Sequence, residues 1–256
     1  MAAKEAYNKS EMLICSAARQ MEDGAICFIG TGIPMLAAAL AKRTHAPRLV
    51  AAFEFGGMGP DLERLPVAVG DSRTFHRAPV AGSICDLMEA AARGMVEYGF
   101  LGGAQIDMFG NLNATVIGDH DKPKVRFPGS GGANDIGSLC WRTIAVMRHG
   151  KQRFVPRLDF LTTAGYLTGP GARERAGLAP GAGPFRVVTD LAILGYEPAS
   201  CRMQVLKLQP GATLEAVRAE TGFELLVAAD LADNPPPTAE ELRLLREEID
   251  PEHLYT

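Results

Sequence analysis

The chain has 256 residues, of which 47% are hydrophobic and 22% charged, and its net charge is -4 at pH 7. This length suits one large α/β domain or two small ones with a substantial core. The acidic balance, without any strongly basic stretch, argues against nucleic acid as a partner. The longest apolar runs are far too short to span a bilayer, so no membrane partner is expected.

The five cysteines are widely spaced and odd in number. Residues 1–6 lack the apolar core of a secretory signal peptide. A scattered, odd set of cysteines without a secretory segment is typical of reduced thiols. We therefore expect a cytoplasmic protein.

Short apolar runs alternate with helical patterns along the chain, and each helix is marked by capping or breaking residues. Helices are predicted at residues 9–22 (capped by Ser10), 34–43, 84–98, 214–221 and 238–248; strands or short apolar runs are predicted at 25–29, 49–55, 99–104, 186–190 and 203–208. Such alternation favours the α/β class, with a single open, mostly parallel sheet flanked by helices. We predict one domain over residues 1–256, in which 235–256 form a helical tail.

The segment 103–140 is rich in glycine and asparagine and has little helical periodicity. It is too long for an idle connection, so we expect a functional loop. Within it, Gly129 to Asp135 contains three glycines in four positions. Such a backbone lets a ligand approach closely and offers N–H groups to an oxyanion. A flexible surface loop is the competing interpretation.

A second glycine turn, Gly30-Thr31-Gly32-Ile33-Pro34, joins a predicted strand to a predicted helix. Backbone N–H groups in such a turn can hold an anion. The dinucleotide-binding fingerprint is not matched, because Pro34 and Met35 stand where its third glycine belongs. Two interpretations stay open. The segment is a plain tight turn, or its Gly30 and Gly32 line a ligand site.

Glu54 directly follows the apolar run Val50–Phe53 and precedes Gly56 and Gly57. A carboxylate at the end of a buried strand is costly to desolvate unless it is satisfied or used. Strand ends followed by glycine loops are also where α/β proteins place their chemistry. Taken alone, Glu54 fits a structural carboxylate that caps or bridges a loop better than a nucleophile.

No metal site is predicted. The five histidines have no mutual spacing typical of metal ligands, and no cysteine pair supports them. They are His45, His76, His120, His149 and His253.

Taken together, the motifs resemble the B subunits of family I CoA-transferases, in particular those of the glutaconate type. The matching segments occur in the order of the family and cover nearly the whole chain. They are Gly30–Pro34, Glu54–Gly56 with Gly59-Pro60, Gly102–Asp107, Gly110–Asn113, Gly129–Asp135, Val187–Leu191 and Leu244–Pro251.

The resemblance implies that Glu54 is the catalytic nucleophile and carries CoA as a glutamyl-CoA thioester. It also implies that Gly131, Gly132 and Ala133 border CoA and supply an oxyanion donor, with Gly30 and Gly32 lining the same cleft. No metal or organic cofactor is implied beyond CoA as a co-substrate. The implied partners are an A-type subunit, which completes a hetero-oligomer, and acyl-CoA and carboxylic acid substrates.

Phe55 departs from the pattern, because the family carries Asn or Ser directly after the glutamate. Some relatives are acyl-CoA hydrolases or decarboxylases, including enzymes of ring opening in steroid breakdown, and these tend to lack the glutamate. Because this chain keeps Glu54, transfer of CoA is the leading interpretation and hydrolysis or decarboxylation the alternative. A non-catalytic sensor of CoA esters or sugar phosphates is a third, which the lack of a DNA-binding segment disfavours.

Overall fold

The structure, a computed structural model, describes residues 7–256, which divide into two compact units. One unit holds residues 7–87 and 235–256, and the other holds residues 88–234. Residues 1–6, which the sequence predicts to lack a signal-peptide core, lie outside the described residues. The assignment of residues 1–256 to a single domain stays a prediction.

The first unit carries strands in the order β1-β2-β3-β4. Its elements up to the boundary are α1 (Lys9–Ala18), β1 (Ile26–Ile29), α2 (Ile33–Arg43), β2 (Val50–Phe53), β3 (Gly57–Met58), a 3₁₀ turn (Ser72–Phe75), β4 (Val80–Ala81) and α3 (Ile84–Ala92), in which the boundary falls. β1 and β2 are parallel, whereas β3 and β4 are antiparallel additions. Both parallel strands are apolar throughout and largely buried, as parallel strands covered on both faces require.

One predicted cap and two predicted ends in this unit are wrong. The helix predicted at 9–22 already ends at Ala18. Asn8, not Ser10, caps α1, because its side chain accepts from the amide of Glu11 at 2.9 Å while Glu11 reaches back to the Asn8 amide. The predicted strand 49–55 already ends at Phe53, so Glu54 lies in a turn.

The second unit carries a sheet in the order β14-β13-β12-β11-β10-β5 and two separate hairpins. Its elements are β5 (Tyr98–Leu101), β6 (Gln105–Ile106), β7 (Leu112–Asn113), β8 (Val116–Gly118), β9 (Pro123–Arg126), α4 (Ala133–Leu139), β10 (Arg142–Val146), α5 (Ala172–Arg175), β11 (Gly183–Val188), β12 (Ala192–Tyr196), β13 (Met203–Leu208), α6 (Leu214–Ala219) and β14 (Leu226–Asp233). Parallel pairing joins β5, β10 and β11, and β12 runs antiparallel to both its neighbours.

The segment 103–140, predicted to be a functional loop, is not a loop in structure, since it holds the hairpins β6–β7 and β8–β9 and the helix α4. Short strands of two to four residues, separated by glycine turns, leave too little periodicity to be recognised. The helix predicted at 84–98 is too long for a related reason. Gly94 adopts a φ of 77° soon after α3 ends, and Tyr98 already begins β5.

The C-terminal segment belongs to the first unit, where α7 (Ala239–Arg243) continues as a π-helical turn (Leu244–Ile249). The helix predicted at residues 238–248 is confirmed. Arg19, the C-cap residue of α1, donates to Glu241 at 2.9 and 2.6 Å and so links the C-terminal segment to the first helix. The predicted fold class, α/β with an open, mostly parallel sheet and flanking helices, is confirmed as well. Within residues 7–256, no helix combines the length and apolarity needed to cross a membrane.

Candidate functional site

Glu54 lies at the tip of a tight turn that follows β2. The amide of Gly56 donates to the carbonyl of Phe53 at 2.8 Å, which closes the turn around Glu54 and Phe55. Gly56 has a φ of 108°, and a Cβ atom there would lie within 2.8 Å of the Ser83 amide nitrogen. Only glycine fits this position, so the backbone after Glu54 is fixed by steric exclusion.

The Glu54 carboxylate has no hydrogen-bond or ion-pair partner among residues 7–256, although the residue is half-buried. Asp250 in the same unit shows what a structural carboxylate does, since it accepts from the amides of Leu254, Tyr255 and Thr256. A capping or bridging role for Glu54, which the isolated residue favoured, therefore has no support in its contacts.

The Gly30–Pro34 turn lies beside Glu54 in the first unit. Ile29 of β1 is in register with Phe53 of β2, so Gly30 and Glu54 leave neighbouring parallel strands at the same edge of the sheet. Strands in a sheet are only about 4.8 Å apart. A Cβ atom on Gly30 would meet no other atom within 4 Å, so the turn borders open space. The carboxyl edge of parallel strands is where α/β proteins bind ligands.

The ring of Phe55 lies outside the core. Its side chain is 49% exposed, and a Cβ atom placed on Gly70 would come within 3.3 Å of the ring. Phe55 therefore rests on the main chain of Gly70 and leaves a large apolar surface exposed in the turn that carries Glu54.

Gly131, Gly132 and Ala133 lie in the second unit, where they lead into α4. Ala133 donates its amide to the Ser130 carbonyl at 2.9 Å, so that donor is already engaged. Within residues 7–256 the amides of Gly131 and Gly132 donate no hydrogen bond. Gly131 also borders open space, since a Cβ atom there would meet nothing within 4 Å. The backbone donors that this loop can offer are those of its two glycines.

The same loop borders a cavity of about 750 Å³ in the second unit. Its lining is mostly small or apolar and consists of Gly102, Gly103, Ala104, Gln105, Ala114, Ile117, Phe127, Pro128, Gly129, Ser130, Ala133, Gln152 and Arg153. The size is that of pockets for small molecules and cofactors. Sequence reasoning reached the glycine segments but missed Gln152 and Arg153, which follow an ordinary turn at Gly150 without any motif.

A hydrogen-bonded network fixes one wall of this cavity. The Gln105 amide donates to Asp159 at 3.1 Å, and its oxygen accepts from Asn113 at 2.7 Å and from the Asp159 amide at 3.0 Å. Gln105 is 5% exposed. A satisfied polar network of this kind holds its members in one arrangement. Gln105 is therefore a rigid wall of the cavity.

His149 is a further residue that sequence reasoning set aside. Its ring stacks on Phe154 with centroids 4.0 Å apart and contacts the hydroxyls of Thr189 and Thr221 at 3.1 and 2.9 Å. Burial lowers the pKa of His149 to about 4, against a smaller opposing effect of the Asp190 charge. The imidazole is thus neutral near pH 7 and anchors the turn that precedes Arg153.

In the described part of the chain, no three His, Cys, Asp or Glu side chains form a cluster that would hold a metal ion.

Residues 10–220 match the family model of coenzyme A transferases. The chain is 38% identical over 242 residues to the B subunit of 3-oxoadipate CoA-transferase from Pseudomonas knackmussii, covering 94% of this chain and 93% of the relative. It is 39% identical over 253 residues to the B subunit of glutaconate CoA-transferase from Acidaminococcus fermentans, covering 96% and 93%.

The fold is similar to the crystal structure of the latter enzyme, with a TM-score of 0.93, 36% identity and coverage of 99% of this chain and 98% of that one. It is also similar to the decarboxylase AibA/AibB, with a TM-score of 0.82, 26% identity and 97% coverage of both chains.

Proposed function

Because the chain belongs to the coenzyme A transferase family, as one of its B subunits, we propose that Glu54 carries CoA from an acyl-CoA to a carboxylic acid. The observation that supports this role most directly is the unpartnered Glu54 carboxylate on its sterically fixed turn. A nucleophile must be free of internal ion pairs and held in one place.

The proposed reaction has two covalent half-reactions. The Glu54 carboxylate attacks the thioester carbonyl, which expels CoA thiolate and leaves a mixed anhydride. The thiolate then attacks the Glu54 carbonyl of that anhydride, which releases the acyl group as a free carboxylate and leaves a glutamyl-CoA thioester. An acceptor carboxylate takes the CoA by the same steps in reverse. Such a sequence gives ping-pong kinetics.

Every step passes through a tetrahedral oxyanion, which needs hydrogen-bond donors. The amides of Gly131 and Gly132 are the proposed donors, because neither donates a hydrogen bond within residues 7–256. Gly131 also borders open space. Ala133 would serve only as a wall of the site, since its amide is engaged with Ser130. Gly30 and Gly32 are proposed to line the space next to Glu54. No metal or organic cofactor enters this scheme apart from CoA as a co-substrate.

The proposed partner is an A-type subunit, because the relatives from Pseudomonas knackmussii and Acidaminococcus fermentans are both named as B subunits. The proposed acid is a short dicarboxylate, since glutaconate and 3-oxoadipate, which name those relatives, are both dicarboxylic acids. A cytoplasmic location is proposed from the five free cysteines, which fit a reducing compartment.

The test uses the complex of this chain with its A-type partner. After incubation with acyl-CoA, borohydride or hydroxylamine should modify Glu54, and mass spectrometry of the digested chain locates the modification. Glu54→Gln should lower transfer by at least about 10³-fold, because the nucleophile is lost. The exposed Glu215 provides the control, and Glu215→Gln should leave transfer unchanged. Near-wild-type transfer by Glu54→Gln would disprove the mechanism.

The alternative function is that of an acyl-CoA hydrolase or decarboxylase. The similarity to the decarboxylase AibA/AibB supports this alternative. Retention of Glu54 favours transfer. The two activities separate when the complex receives acyl-CoA without any acceptor acid. A transferase stops once Glu54 is loaded, whereas a hydrolase releases free CoA continuously and a decarboxylase evolves carbon dioxide.

A further inference from the structure

The side chain of Tyr255 links two loops of the first unit. A Cβ atom on Gly32 would lie 4.0 Å from Cδ1 of Tyr255, and among residues 7–256 no atom beyond the neighbours of Gly32 in the chain would lie as close. The Tyr255 hydroxyl donates to the Pro66 carbonyl at 3.1 Å. The half-buried ring therefore extends from the Gly30–Pro34 turn to the segment 65–71.

The main chain on either side of this ring is held by one buried carboxylate. Asp250, which is 1% exposed, accepts from the amides of Leu254, Tyr255 and Thr256 at 2.8, 2.9 and 3.0 Å. Tyr255 is thus hydrogen-bonded both at its amide and at its hydroxyl. A side chain that is fixed at both ends can hold the groups it contacts in one arrangement.

Both loops that Tyr255 contacts lie next to Glu54. The first begins at Gly30, which leaves β1 beside Glu54 because Ile29 and Phe53 are in register. The second carries Gly70, against which the ring of Phe55 rests. Because Phe55 directly follows Glu54 in the chain, a shift of either loop changes the surroundings of the Glu54 carboxylate.

The segment 65–71 has little support of its own. It contains no helix or strand. The Asp71 carboxylate accepts from the Val67 amide at 3.2 Å, and Arg73 donates to the Leu65 carbonyl at 2.8 Å. Segments with few backbone hydrogen bonds open at low free-energy cost. The hydrogen bond from Tyr255 to Pro66 is therefore an important restraint on this segment.

Building on the proposed function, we propose that Tyr255 is a positioning residue for CoA transfer, which holds the Gly30–Pro34 turn and the segment 65–71 in place around Glu54. It acts through these two loops. A misplacement of about 1 Å near a reacting group can lower a rate by about 10²-fold. Loss of alignment lowers kcat, whereas KM changes little because no contact with the substrate is removed.

The kinetic test uses the complex of this chain with its A-type partner. Tyr255→Ala should lower kcat by about 10-fold and change KM by less than about 2-fold, since both contacts of the ring are lost. Tyr255→Phe keeps the ring against Gly32 but lacks the hydroxyl, so it should restore most of the kcat. Leu254→Ala is the matched control, because Leu254 belongs to the same segment and is 52% exposed. It should transfer CoA like the wild-type protein.

Hydrogen exchange of the full chain tests the positioning without turnover. The amides of Met35 and Leu36 donate to the Gly32 carbonyl at 3.0 and 3.2 Å and report on the first loop. In Tyr255→Ala, amide exchange should become faster in residues 31–36 and 65–71 and stay unchanged in α1. Leu254→Ala should show the wild-type pattern throughout.

Three results would overturn the inference. The first is wild-type exchange in both loops of Tyr255→Ala, and the second is a wild-type kcat for that variant. The third is an increase in KM confined to particular acids, which would assign the ring to direct contact with the substrate. If the wild-type complex transfers no CoA but Tyr255→Ala loosens both loops, the proposed function fails while the positioning by Tyr255 stands.

Discussion

The carboxylate of Glu11 in α1 accepts hydrogen bonds from Arg246 of the C-terminal segment at 2.6 and 2.9 Å. Its side chain is only 3% exposed, whereas that of Arg246 is 41% exposed. Glu11 also completes the capping box with Asn8. A single buried carboxylate thus joins the start of the first helix to the end of the chain, and the stability of this unit should depend on it.

Arg246→Met should destabilise the protein by about 2–4 kcal/mol at neutral pH, because a buried carboxylate loses its cation. Unfolding in denaturant measures this free energy. The exposed pair of Arg48 and Asp23 is the comparison, since Arg48 is 79% exposed. Arg48→Met should cost less than about 1 kcal/mol. Equal effects of the two substitutions would mean that burial of Glu11 is unimportant.

The difference in stability between the wild-type protein and Arg246→Met should depend on pH. Burial tends to raise the pKa of Glu11, but hydrogen bonds from Arg246 and Asn8 outweigh it and hold the pKa below its ordinary value. The native pair thus stabilises the fold above that ordinary value, and the stabilisation is lost as pH falls through the lowered pKa. In Arg246→Met the Glu11 carboxyl loses the hydrogen bonds from Arg246, while burial still raises its pKa. The loss of stability relative to the wild-type protein should therefore shrink as the pH is lowered.

Gly56→Ala should destabilise by more than about 3 kcal/mol, because the new methyl group collides with the main chain at Gly82 and Ser83 and the φ is positive. Gly24→Ala measures the cost of placing alanine at a positive φ without a steric clash. Gly24 has a φ of 83° but open space around it, so only about 1 kcal/mol is expected there. Denaturant unfolding of both variants gives the comparison. A Gly56→Ala protein as stable as Gly24→Ala would refute the steric account of the Glu54 turn.

Strands of the parallel type were predictable where the chain is apolar throughout. The apolar run before Glu54 gave β2 to within two residues, because a strand covered on both faces needs no polar alternation. The hairpins in 103–140 were not predictable, since β6 and β7 contain only two residues each. Their register depends on long-range contacts, such as the pairing of Ile106 with Phe154, that local sequence does not encode.

Some residues of the candidate site were likewise predictable from the sequence, and others were not. Glu54 and the glycine turns could be found because a glycine directly after a strand has a backbone reason to be there. The engagement of the Ala133 amide could not be foreseen, since it depends on the turn conformation at Ser130. Arg153 was invisible for a similar reason. Only the folded chain shows that its neighbours are satisfied elsewhere and that it faces a cavity.

Phe55→Ser should alter selectivity more than stability. The ring is half exposed and rests on Gly70, so its removal should cost less than about 1.5 kcal/mol. Next to Glu54, the smaller residue should raise kcat/KM for branched acids relative to straight-chain acids by several-fold, since about 1 kcal/mol of steric relief suffices. Rates of the A–B complex with paired acids measure this. A uniform change for all acids would place the ring outside the acyl site.

Protonation of His149 should make the stability of the protein depend on pH. The unfolded chain binds a proton near pH 6.5, whereas the folded chain takes it up only near its pKa of about 4. Stability is therefore full above about pH 6.5 and falls by roughly 2–3 kcal/mol as the pH drops through this window. His149→Phe keeps the stack on Phe154 but cannot titrate, so its unfolding free energy should depend less on pH. An unchanged slope in His149→Phe would show that another group is responsible.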